Sequence, residues 1–162
     1  MALYNMWNKT KSDDFDESLR RNFEEVIGEL KLEFVDCTKA EVIKALTQHG
    51  ITHSQFITLD MADYTNGLRR AKRVYMLKGV GEGKNNITKA LDNAIHGESL
   101  ESVITLIVLL ECGANTNVND NLFSKVGEKI RQLNPVCNIL LAVDNYTKPN
   151  RDMVELKIVA LS

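Results

Sequence analysis

Apolar residues recur at spacings of three and four from Phe15 to Leu30: Phe15, Leu19, Phe23, Val26, Ile27 and Leu30. That period puts one apolar stripe on a helix whose other face carries Asp, Glu and Arg. Asp13 and Asp14 open this helix, and residues 1–12, polar and without a period, are expected to form a loose arm. Leu32, Phe34 and Val35 predict a short extended piece. Thr38 and Glu41 then stand in capping-box spacing, where each side chain takes the other residue's backbone N–H. The helix they open is expected to end at Gly50. Residues 51–59 are short, apolar and β-branched, and they deliver Asp60 to a helix start as its expected N-cap.

From Lys72 onward strand and helix patterns alternate, which predicts parallel pairing through right-handed crossovers. Arg73 to Lys78 reads as a strand, Gly79-Val80-Gly81-Glu82-Gly83 as the turn after it, and Ile87, Ala90, Leu91, Ala94 and Ile95 as a helical stripe. Val103 to Leu110 is apolar on both pleat faces, as expected of a mid-sheet strand covered on both sides. Leu122, Phe123, Val126, Ile130 and Leu133 form the next stripe, and Pro135 prevents its continuation. Ile139 to Val143 supplies another strand, and Asn145 to Asp152 a loop. Val154, Leu156, Ile158 and Ala160 then alternate with Glu155 and Lys157, predicting a closing antiparallel hairpin strand with one polar face. The expected fold is α/β (α+β): a mixed four-stranded sheet with packed helices, preceded by an N-terminal helical extension. The stripe of Phe15, Leu19 and Phe23 is expected to pack on the sheet rather than on a second copy.

The chain has 162 residues, enough for one domain or one domain with an appendage. Hydrophobic residues make up 44% and charged residues 26%, the balance of a globular protein with a sizeable core. The net charge of -2 leaves no basic field to recruit nucleic acid or an anionic membrane. No apolar run approaches the ~20 residues that span a bilayer. The first residues carry neither a basic nor an apolar leader, so a cytoplasmic location is expected. Cys37, Cys112 and Cys137 are far apart and form no Cys-x-x-Cys pair. Cys112 and Cys137 sit at the ends of apolar runs, Cys112 after one and Cys137 before the other, where cysteine serves as a small buried hydrophobe. His49 and His96 each precede a glycine, the position of a histidine in the last turn of a helix. Neither they nor His53 has metal-ligand company, so no metal site is expected. No Gly-x-Ser-x-Gly elbow marks a nucleophile.

Two segments carry candidate chemistry. Gly79 to Lys84 invites a phosphate-loop reading, but Lys78 and Asn85 stand where a Walker loop needs glycine and Ser/Thr. The third glycine of a dinucleotide fingerprint would fall on Lys84, so a strand-to-helix turn is expected and no cofactor. In Thr58-Leu59-Asp60-Met61-Ala62-Asp63-Tyr64 two acids lie three apart on one face of a first helical turn, where the helix N-terminus favours their charge. From these residues alone, a double helix cap and a functional pair stand equally.

Ile57 to Tyr64 resembles the synergy loop of the bacterial tubulin relative FtsZ, whose pattern is Asn-x-Asp-Phe-Ala-Asp, with Thr58 and Met61 departing from it. Arg73 to Leu77 is similar to the family's following strand, Gly79 to Gly83 to its glycine-rich turn, and Thr88 to Ile95 to its Ala-rich helix. Leu106 to Gly113 resembles its central strand, and Asn138 to Val143 with Val154 to Leu161 its closing hairpin. The resemblance covers residues 38–162 and implies an FtsZ C-terminal-like domain, with residues 1–37 an arm and helix of the chain's own. The family's Gly-Gly-Gly-Thr-Gly loop has no counterpart in residues 1–37, which implies no nucleotide site in the family manner. In the family the synergy loop completes the neighbouring subunit's GTPase site, its carboxylates orienting the attacking water. By resemblance Asp60 and Asp63 would hold those catalytic roles in trans, with the chain no enzyme on its own. The implied function is an accessory domain acting by protein–protein contact in bacterial cell division or filament regulation. Its implied partner is an FtsZ/tubulin-like protein or a second copy. An orphan binding module that keeps only the fold, and an excised C-terminal half of a tubulin-like GTPase, are the alternatives.

Overall fold

The computed structural model describes residues 17–48, 55–57, 61–119, 121–145 and 148–162. Helix α1 runs over residues 17–29. The order continues β1 (Glu33–Val35), α2 (Lys39–Gln48), β2 (Gln55–Ile57), α3 (Met61–Arg70), β3 (Arg73–Glu82), α4 (Asn86–Ile95), β4 (Thr105–Cys112), α5 (Asn121–Leu133), β5 (Asn138–Asn145) and β6 (Met153–Leu161). Asp13, Asp14, Phe15, His49, Gly50, His53 and Asp60 lie outside the described residues.

The strands form one mixed sheet in the order β1-β3-β6-β4-β5-β2. The four long strands are those the sequence pattern predicts; β1 and β2 add a three-residue strand at each edge and bring the described sheet to six. β4 and β5 pair in parallel, as expected of strands joined through α5. β6 departs from the closing hairpin: it makes no pair with β5 but inserts between β3 and β4, antiparallel to both. Its polar alternation ends midway because Val159 and Leu161 face the core that α1, α2 and α3 cover, whereas Glu155 and Lys157, on the same face, line a cavity. Glu155 and Lys157 remain partly exposed, whereas residues 158–161 are buried on both faces between covered neighbours.

Alternate residues of the central strands feed two cores. Leu106, Val108 and Leu110 of β4 meet Ala90 and Leu91 of α4 and Leu122, Val126 and Ile130 of α5. Ile107 and Leu109 face the other way, toward Phe23 and Ile27 of α1, Val42 and Leu46 of α2, and Tyr64 and Leu68 of α3. This three-layer arrangement is why β4 reads as an unbroken apolar run. The α1 stripe packs on the sheet, with Phe23 and Ile27 fully covered and Leu19 and Leu30 at the margin.

Local chemistry sets the helix ends. Thr38 N donates to the Glu41 carboxylate at 2.8 Å and Glu41 N to Thr38 Oγ1 at 3.1 Å, the reciprocal capping box. The Thr38 amide holds the Glu41 carboxyl below the usual carboxylate range. α4 ends on exposed His96, followed by Gly97 at φ 72°. α5 stops two residues before Pro135, and there the buried Asn134 ties the connection together. Its Nδ2 donates to the carbonyls of Leu100 and Val103 at 2.7 and 2.8 Å. Its Oδ1 accepts from the amides of Val136 and Cys137, both at 3.1 Å.

The glycine segment is not the turn expected from its composition. β3 continues through Gly79, Val80, Gly81 and Glu82, and the reversal follows at Gly83 (φ 71°) and Asn85 (φ 59°). Gly79 and Gly81 let α4 lie against the strand: a Cβ would stand 2.0 Å from Ala90 O at Gly79 and 1.9 Å from Asn86 O at Gly81. Close helix-on-strand packing, not turn flexibility, requires glycine at both positions. Cys112 is buried, and burial pushes its thiol up to about 12, as expected of core filler. Cys137, expected to be buried, is only half covered. No described helix is long and apolar enough to cross a membrane.

Candidate functional site at the start of α3

α3 divides its residues between two surfaces. Tyr64 and Leu68, four apart, are buried against α1, where the Tyr64 ring meets Phe23 edge-on at a centroid distance of 5.6 Å and 64° between planes. Asp63, Asn66, Gly67 and Arg70 follow helical spacing along the next face, toward the beginnings of β4 and β5. Between them and Thr105, Asn138 and Leu140 lies a cavity of about 220 Å³. Gly67 sets its depth, since a Cβ there would meet Leu161 Cδ1 at 3.2 Å and Thr105 Cγ2 at 3.5 Å.

Asp63 is half-buried in the first turn of α3, and Arg69 and Arg70 occupy the last, so both charge signs complement the helix dipole. Asp60, its expected companion, lies outside the described residues, and the geometry of the pair is therefore not part of the structure. The Tyr64 hydroxyl has no hydrogen-bond partner among the described residues. Burial foremost, then the negative charges of Asp144 and Asp63, pushes its pKa up and keeps it protonated. The Asp63 cavity thus joins a carboxylate, two amide side chains and a guanidinium. That set suits polar contact with a partner surface, or the holding of a water, more than enclosure of an apolar ligand.

A second and larger cavity, about 360 Å³, lies on the same face of the sheet beside α2. Its charged lining was not singled out from the sequence. Lys148 Nζ bridges Glu111 at 2.6 Å and Glu155 at 2.5 Å, and Lys157 stands 3.9 Å from Glu155. Burial alone would lower the pKa of Lys148, but the two carboxylates outweigh it and hold it above the ordinary lysine value. The Lys148 bond likewise holds the Glu155 carboxyl below its usual range. The sequence signal was present: Glu111, Glu155 and Lys157 are polar residues at inward-alternating positions of otherwise apolar strands. These groups neutralise one another, which marks the cluster as a structural network. Among the described residues no group of three or more His, Cys, Asp or Glu gathers as a metal site.

This sheet, with its central antiparallel β6 and helices on both faces, is an FtsZ-like fold. A single-substitution mutant of FtsZ from M. jannaschii superposes with a TM-score of 0.62 at 10% identity, covering 89% of this chain and 51% of that one. An empty FtsZ dimer from M. jannaschii gives 0.57 at 12% identity, over 88% and 48%. TubZ from Bacillus thuringiensis serovar israelensis, in GDP-form protofilaments, gives 0.49 at 12% identity, over 75% and 34%. The chain spans about half the length of the FtsZ structures it matches. No family model matches the sequence, and no curated protein matches it.

Proposed function

We propose that the chain is an FtsZ C-terminal-like domain that acts by protein–protein contact, presenting the start of α3 to a tubulin-like partner or a second copy. The observation that carries this reading is the placement of Asp63. It sits half-exposed in the first turn of α3, at the rim of a polar cavity, in a chain with an FtsZ-like fold. In this reading Asp63 and Asp60 orient the water that attacks GTP held by the partner, which requires a carboxylate within hydrogen-bond reach of that water. The nucleotide comes with the partner, because residues 1–162 contain no Gly-Gly-Gly-Thr-Gly loop. The setting is the cytoplasm of a dividing bacterial cell, and the output is a change in filament assembly or turnover.

Adding the chain to a full-length FtsZ from the same source tests this directly. GTP turnover or pelleted polymer changes with the native chain and reverts when Asp60→Ala and Asp63→Ala are combined. Unchanged turnover and pelleting with the native chain would refute the role. An effect that persists in the double variant would leave contact but remove the carboxylates from it.

A further inference from the structure

β1 covers only Arg73 to Tyr75 of β3, and no described strand lies beside the remaining outer edge from Met76 to Glu82. Along a strand, the N–H and C=O of one residue point to the same edge and those of the next to the opposite edge. The Val74 carbonyl turns outward, where it accepts from Cys37 Sγ at 3.5 Å. The even-numbered residues Lys78, Val80 and Glu82 therefore also present their backbone groups outward. Two of these carbonyls are occupied by side chains of α4. Asn93 Nδ2 donates to Val80 O at 2.8 Å, and Lys89 Nζ to Glu82 O at 3.0 Å. Unpaired edges invite strand addition, and proteins blunt them with polar and charged groups.

This edge is self-complementary. An antiparallel pairing of two copies about Val80 sets Val80 opposite Val80, Lys78 opposite Glu82 and Glu82 opposite Lys78. Val80 is 40% exposed, and Lys78 and Glu82 are exposed beside it on the same pleat face. Apolar residues meet at the centre and opposite charges on either side, the cross-strand arrangement that stabilises a ladder. The acceptors this pairing needs include the Val80 and Glu82 carbonyls that Asn93 and Lys89 hold.

We infer that the β3 edge is a latent dimerisation surface for a second copy of this chain, kept shut by Asn93 and Lys89. Freeing the two carbonyls opens it. The test is sedimentation equilibrium of the full chain carrying Asn93→Ala and Lys89→Ala, since alanine keeps the helix propensity of α4. The expected result is self-association roughly tenfold tighter than that of the native chain, on the scale of a few exchanged hydrogen bonds. Far-UV circular dichroism and the urea midpoint verify that the variant is folded. Adding Glu82→Lys to the double variant sets like charges across the register and returns it to native behaviour. Adding Lys78→Glu as well restores opposite charges and the dimer. Unchanged association in the double variant overturns the proposal. Association indifferent to the charge at position 82, as expected if it came through partial unfolding, overturns it equally.

Discussion

Gly81→Ala distinguishes close packing from turn flexibility, because the two predict opposite signs. In a flexible turn the substitution narrows the unfolded ensemble and stabilises by about 0.4–1 kcal/mol. In β3 the new Cβ meets Asn86 O at 1.9 Å, Ala90 N at 2.7 Å and Asn86 C at 2.8 Å. All three are backbone atoms of α4, so no rotamer change relieves them. Ordinary contact at 3.4–4 Å requires α4 to move off the strand by more than an ångström. That displacement loosens Ala90, Leu91, Ala94 and Ile95, which form this helix's share of the core. Overpacking a close-packed interior costs typically about 1–3 kcal/mol, and with backbone on both sides the upper end, about 3 kcal/mol, is expected. Urea unfolding followed by circular dichroism at 222 nm (about the standard helix band) reads this as a lower midpoint with an unchanged slope. Gly79→Ala, with Ala90 O at 2.0 Å, behaves alike. Gly83→Ala is the control: nothing lies within 4 Å of its Cβ, and only its φ of 71° resists, at about 1 kcal/mol. A midpoint for Gly81→Ala equal to or above the native value would refute the packing argument.

Two further outcomes follow from the described contacts. Asn134→Leu strips the Leu100, Val103, Val136 and Cys137 backbone groups of their partner and lowers stability by about 3 kcal/mol, measured by the same urea titration. Lys148→Met costs about 1–2 kcal/mol near neutral pH, less than a fully buried pair, because the Lys148, Glu111 and Glu155 side chains keep 16%, 19% and 29% of their exposure. The Glu155 carboxyl, held low by Lys148, contributes stability above its unfolded pKa and loses it as pH falls through its folded value. Lys148, held high, contributes below its unfolded pKa and loses its share as pH rises through its folded value. The gap between native and variant proteins therefore closes below about pH 4.3 and again above about pH 10.4. A gap that stays unchanged below and above those limits would remove the ion pairs as its cause.

Periodicity was a sufficient guide wherever one physical requirement acted alone. The stripe of Phe23 and Ile27, the Thr38–Glu41 box and the doubly buried β4 each answer to local spacing; the first two stand where the pattern put them, and β4 begins two residues later than Val103, at Thr105. The misreadings arose where a non-local partner decided. Gly79 and Gly81 look like turn residues until α4 is laid on them, and only the approach of Ala90 and Asn86 reveals why a side chain is excluded. β6 alternates like a half-exposed hairpin arm, yet Ile158 to Leu161 are buried because Ile158 and Ala160 face one core and Val159 and Leu161 the other. At the candidate site, the place of Asp63 in the first turn of a helix was legible from the sequence. Its neighbours Asn66, Arg70 and Thr105 were not, because the cavity that joins them forms between a helix and strands distant in sequence. The Lys148 network shows in the sequence only as separate polar residues within apolar strands, and strand register brings Glu111 and Glu155 together.

The position of β6 has a consequence for how the chain is made. It is synthesised after every other described strand, yet it occupies the centre of the sheet and is the only described strand joining β3 to β4. Until it leaves the ribosome, β1-β3 and β4-β5-β2 are separate half-sheets, each with an open interior edge. The nascent chain therefore presents two matching apolar slots until β6 has been made, a period of exposure to misplaced strands and to chaperones. A chain severed in the 146–152 connection leaves those slots intact, so a free peptide of residues 153–162 would be expected to dock there and complete the fold from outside.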